Sequence, residues 1–147
     1  TPEWQKAWVQ LIKDVPNIVE KAKTPLSGPT DKPHETTPVV INSESEIYLS
    51  GVGHDAHEPF RLCKPGQWTF CKTAQKPYND VVSAILLRAW MLAPKNLDLG
   101  SDGGYEVWAR ARALCEALWL NESTEALWVN PNEKNGSENR HGSQQVI

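Results

Sequence analysis

The chain has 147 residues, of which 39% are apolar and seven are tryptophan, and its formal net charge is −3. That is one domain's worth of chain, with a core that must rest on a few aromatic anchors. No block is basic enough to track a phosphate backbone, and no run is apolar and long enough to span a bilayer, so neither nucleic acid nor membrane is expected as a partner.

The first 23 residues read as an amphipathic helical segment. Thr1 suits an N-cap, Pro2 the first helical position, and Glu3 the positive end of the helix dipole. Trp4, Trp8, Leu11, Ile12 and Val15 recur on one stripe, and Pro16 is expected to end or kink the helix. A lone helix of this length is marginal in water, so the stripe needs a covering surface. Residues 24–38 carry Pro25, Pro29, Pro33 and Pro38 and almost nothing apolar, which predicts an extended, semi-rigid linker. The expectation is therefore a separate N-terminal helix that reaches away from the core. It would dock through Trp4, Trp8, Leu11 and Ile12 on a second copy or on another protein, with packing back on its own sheet as the alternative.

Residues 39–129 read as the core domain. Val39–Ile41 is a short β-branched run, and Glu46–Leu49 a strand stopped by Gly51 and Gly53. Two alternating runs, around Phe60–Cys63 and Trp68–Phe70, flank Pro65-Gly66 and predict a hairpin. Between Pro77 and Pro94 lies a helix whose middle holds only two polar residues, Ser83 and Arg88, as expected for an element packed on several sides. Leu97–Leu99 is a short strand. A second helix opens at Asp102 and turns Trp108, Leu114, Cys115 and Leu118 to one face. Residues 130–147 are polar and predict a flexible tail. The resulting class is α+β: a small, mainly antiparallel sheet with two packed helices, preceded by the separate amphipathic helix.

The odd count of three cysteines, Cys63, Cys71 and Cys115, is no disulfide framework and suggests free thiols in a reducing compartment. The opening "TPEWQKAW" lacks the pattern of a secretory leader, so none is expected, and Asn121-Glu122-Ser123 and Asn135-Gly136-Ser137 read as chance matches to glycosylation acceptors.

The stretch "GVGHDAHEPF" raises the sharper question. With the cysteines that follow, His54, His57, Cys63 and Cys71 offer two imidazoles and two thiolates, a possible tetrahedral zinc set. The spacing fits no standard finger, and the two histidines would have to fold back over the strands. The favoured reading is a tight structural loop in which Gly51 and Gly53 adopt positive φ, with no metal or other cofactor. An enzymatic alternative uses Cys71 as nucleophile, His57 as base and Asp55 as orienter, with Asp80 or Asp102 nearby. Lys72 and Lys76 precede the next helix N-terminus and can hold an anion there; with Tyr78 and Trp68 they form the nucleic-acid alternative.

Across residues 47 to 120 the chain resembles a family of small uncharacterised proteins encoded by tailed bacteriophages and prophages. The resemblance rests on Gly51, Gly53, Glu58 and Phe60, then on Phe70, Cys71, Lys72, Thr73, Ala74, Lys76, Pro77 and Tyr78, then on Ser101, Asp102 and Gly103. Gln75, Asn79 and His54 depart from the family pattern, where Arg, Asp and an acidic residue are expected. The resemblance implies phage origin, the cytoplasm of an infected bacterial host, and an accessory role without an assigned reaction. The leading expectation is a module that binds a host or phage protein, with Lys72, Lys76, Tyr78 and Asp102 as binding residues beside those of the first helix.

Overall fold

The structure is a computed structural model that describes residues 2–32, 34–64, 69–70, 76–100, 108–122 and 143–146. In chain order it holds α1 (Pro2–Ala22), β1 (Val40–Ile41), β2 (Glu46–Leu49), a single 3-10 turn at Gly53–Asp55, β3 (Phe60–Cys63) and β4 (Thr69–Phe70). Then come α2 (Asn79–Leu92), β5 (Leu97–Gly100), α3 (Ala109–Leu118) and β6 (Ser143–Val146). This is an α+β architecture.

The two sets of strands differ in sense. β1, β2 and β3 form an antiparallel sheet in that order, with Ile47 opposite Leu62 and Leu49 opposite Phe60. Ile47, Leu49, Phe60 and Leu62 are all fully buried, which is the alternation the sequence carries. The expected hairpin between β3 and β4 is not the pairing observed. Among the described residues β3 pairs with β2, while β4 and β5 both pair in parallel with β6. The parallel sense follows from connectivity: β4 and β5 are joined through α2, and a helical crossover returns the chain in the same direction. β6 falls within the segment expected to be a flexible tail, where it takes the place between two strands that would otherwise leave their facing backbone groups unpaired.

α1 corrects the expectation of a separate, partner-seeking helix. Trp4, Trp8, Leu11, Val15 and Ile18 are buried in the same core as α2 and the first sheet, and Ile12 packs against it. The indole N–H of Trp4 donates to the carbonyl of Lys64 at 2.6 Å, and that of Trp8 to the carbonyl of Ser43 at 2.9 Å. These two bonds seat α1 on the loops at one end of the first sheet, while its length lies against α2 and α3. The helix also runs through Pro16 rather than ending there. Pro16 is exposed, so the carbonyl that loses its partner can take water, and the buried stripe on the other side continues unbroken to Ile18.

The Pro-rich segment is not a spacer. Ser27 and Ser50 exchange two backbone hydrogen bonds, at 2.9 and 2.8 Å, which extends the sheet beyond β2. The Gly28 N–H donates to the Thr37 carbonyl, and the Thr37 N–H donates to the Ser27 hydroxyl. A Cβ on Gly28 would lie 1.9 Å from the Pro38 carbonyl oxygen, so only glycine allows this closure. Hydroxyls and a glycine satisfy the backbone locally, and the segment becomes a compact surface loop.

Candidate functional site

The loop containing "GVGHDAHEPF" folds for structural reasons. Gly53 takes a φ of 56°, the left-handed region that glycine enters freely, and opens the 3-10 turn. Gly51 does not need a positive φ, contrary to expectation; it needs the absence of a side chain. A Cβ there would come within 2.1 Å of the Asp55 carbonyl oxygen and 2.8 Å of the Tyr78 ring. Tyr78 is fully buried beneath this loop, and its hydroxyl donates to the Glu58 carbonyl. Three residues of the sequence resemblance, Gly51, Glu58 and Tyr78, thus meet in one packed contact.

Facing this loop is the compact Pro-rich loop, and the two enclose a cleft of about 330 Å³. Ser27, Thr30, Asp31, Lys32 and Glu35 line one wall, and Gly53, Ala56, His57 and Pro59 the other. Tyr48 and Ser50, from the end of β2, contribute the floor between them. Both walls are fixed: one by the Ser27–Ser50 backbone bridge, the other by the Tyr78 side chain packed at Gly51 and bonded to Glu58. The rim is polar and of mixed sign. Lys32 and Glu35 form an exposed pair at 3.7 Å, and the Lys32 N–H donates to the Thr30 hydroxyl. Tyr48 carries the Arg61 guanidinium 5.6 Å from its ring centroid, and Glu46 receives two hydrogen bonds from that guanidinium, at 2.9 and 3.1 Å. The hydrogen bonds and charge of Glu46 raise the Arg61 pKa further above its ordinary value.

The remaining candidates fare differently. Trp4, Trp8 and Leu11 are core residues, so their place in a partner interface is withdrawn. Tyr78 is sealed by the loop above it and has no ring face to stack on a base. Lys76 is half-buried just before α2. Cys71, Lys72, Asp102 and Trp68 lie outside the described residues. Among the described residues no three of His, Cys, Asp and Glu come together as a metal set, so His54, His57 and Cys63 are not gathered into one. Cys115 is fully buried against the Ala84 carbonyl, and burial pushes its thiol up to about 12, far from a thiolate nucleophile at neutral pH.

A second polar constellation escaped sequence reasoning. The Arg88 guanidinium of α2 donates to Asp14 of α1 through Nε at 2.8 Å and to Glu122, beyond α3, through Nη1 at 2.9 Å. It lies 4.0 Å from the ring centroid of Trp119. Gln10 donates to the other Asp14 oxygen at 2.9 Å. The one legible signal was an arginine inside an otherwise apolar helix; that residue demands a buried counter-charge, but the sequence does not say which of eighteen acidic residues supplies it.

No helix among the described residues is long and apolar enough to cross a membrane. Comparison of the chain with family models, with curated proteins and with solved structures finds no match.

Proposed function

We propose that this chain is a small phage accessory protein that acts by binding a host or phage protein, and that the cleft between the Pro-rich loop and the Gly51–Pro59 loop is its contact surface. The observation that carries this reading is the way the cleft is built. Two surface loops that would ordinarily be mobile are each held by backbone bonds or by a glycine that tolerates no side chain. Ordering such loops before contact lowers the entropic cost of association. Their lining of hydroxyls, one proline, a tyrosine and both signs of charge suits the mixed chemistry of a polypeptide. The phage assignment rests on the sequence resemblance of the 51–60 and 70–78 stretches.

The test places a photo-crosslinking residue at Asp31 in the full chain, and in a second variant at Glu20 on the exposed face of α1. Both are expressed in bacterial cells with and without tailed-phage infection. A discrete adduct to one host or phage protein from position 31, absent from position 20, is expected. That protein, purified, should bind Tyr48→Ala with His57→Ala at least about tenfold more weakly than the wild type, the scale of one lost interface anchor. No adduct from position 31, or the same adducts from both positions, overturns the reading.

A further inference from the structure

The Arg88 cluster joins three parts of the chain that are far apart in sequence. Asp14 is 74 residues from Arg88, and Glu122 is 34 residues beyond it. The two carboxylates are not equivalent. The Asp14 and Arg88 side chains are 6% and 4% exposed, whereas the Glu122 side chain is 45% exposed. Asp14 therefore holds Arg88 from the dry side, and Glu122 from the wet side. The Trp119 ring, itself half-buried, lies with its face against the guanidinium.

Residues 119–122 leave the end of α3 in a turn, closed by the Glu122 N–H donating to the Trp119 carbonyl and by the Trp119 N–H donating to the Cys115 carbonyl. Trp119 is only half-buried and Leu120 is strongly exposed, so this turn lies at the surface. Local opening at such a turn disrupts few buried contacts and costs far less than global unfolding.

We infer that the Trp119–Glu122 turn is a removable cover over the Asp14–Arg88 pair, and that its seating sets how tightly α1 is held to α2. The physical basis is the dielectric. With the cover closed, the pair interacts in a dry setting where attraction between charges is strong. With the cover open, water reaches the guanidinium, and the same pair falls to the value of a surface ion pair. α1 then keeps its apolar stripe but loses much of its polar anchor. The cover and the N-terminal helix, though far apart in sequence, are thus coupled through one arginine. A partner that draws the turn away would loosen α1 without touching it. This coupling does not depend on the cleft.

The experiment is amide hydrogen exchange on the full-length chain, read residue by residue. Trp119→Ala removes the cover while leaving Asp14, Arg88 and Glu122 in place. Amides in the middle of α1, residues 11 to 18, are expected to exchange about tenfold faster, while those of β2 and β3 stay near their wild-type rates. Trp119→Phe keeps an aromatic face over the guanidinium and should restore most of the protection. In an Arg88→Met chain, where there is no charge pair to cover, adding Trp119→Ala should leave the α1 amides unchanged. Unchanged α1 amides in Trp119→Ala overturn the inference. So does a uniform acceleration through α1, β2 and β3, because Trp119 would then contribute only to global stability. Should Arg88→Met not fold, Asp14→Leu with Arg88→Met provides the reference without a charge pair, with the same expected insensitivity to Trp119→Ala.

Discussion

The chain contains two arginine–carboxylate pairs of nearly the same length in different surroundings. Arg88–Asp14 spans 2.8 Å between α2 and α1 with both side chains almost fully buried; Arg61–Glu46 spans 2.9 Å across β3 and β2 with the Arg61 side chain 58% exposed. Both arginines also sit over an aromatic ring, Trp119 and Tyr48. Distance does not distinguish them, but water does. The buried pair is costly to leave half-made, because each ion has surrendered its hydration, while the exposed pair exchanges its partner for water at little cost. The helical side of the molecule is therefore organised around a polar contact whose loss is expensive. The sheet side carries polar contacts that can be rearranged, which suits a surface for recognition.

That contrast can be broken or sharpened in order of expected effect. Trp8→Ala removes both a fully buried ring and the bond to Ser43, and should cost about 3–5 kcal/mol in urea unfolding. A loss below about 1 kcal/mol would mean that α1 is not part of the core. Asp14→Asn should cost about 3 kcal/mol, since it removes the buried counter-charge of Arg88 and leaves only the half-exposed Glu122, whereas the paired replacement Asp14→Leu with Arg88→Met should recover most of that loss. If the double variant is no more stable than Asp14→Asn, the cluster is needed for more than charge balance. Gly51→Ala should cost about 1–3 kcal/mol, because its Cβ meets backbone that must move. The same variant should weaken capture through the cleft, which a purely structural loop would not require. Glu46→Ala should change stability by less than about 1 kcal/mol, and even that difference should fade in strong salt.

A pH measurement separates the two sides differently. The folded Cys115 thiol is raised from its ordinary value of 9.0 to about 12, mainly by burial. The unfolded chain ionises at the lower value and the folded chain does not. Cys115 thus contributes stability below about pH 9 that is lost as the pH climbs toward 12. Comparing the wild type with Cys115→Ala across that interval should show the gap between them narrowing as pH rises. A constant gap would mean that the thiol is not held neutral by the core.

The sequence announced its local periodicities and concealed their partners. The stripe from Trp4 to Val15, the apolar run of α2 and the alternation in β2 and β3 were legible because burial is written into spacing. The α+β class followed from their order. What covers the α1 stripe was not legible, because the same pattern serves a core or an interface; here the Lys64 and Ser43 carbonyls of distant turns, accepting from the two indoles, settle it as core. The Pro-rich segment misled for a related reason. Its composition describes stiffness, but the closure through Ser27, Gly28 and Thr37 depends on where β2 ends. The cleft was half visible: one wall was singled out for its histidines and glycines, and the other was dismissed as linker.

The distance between Asp14 and Arg88 has a consequence during synthesis. α1 emerges before α2, yet its polar anchor lies 74 residues later, and the strands that receive its tryptophans also follow it. At ordinary translation rates the chain waits roughly 4 to 15 s for Arg88 to be made. Through that interval an isolated, marginally stable helix displays Trp4, Trp8 and Leu11 to the cell. The residues that most firmly close the finished molecule are thus the ones most exposed to misassociation while it is being built, and slowing elongation between α1 and α2 should lower the soluble yield.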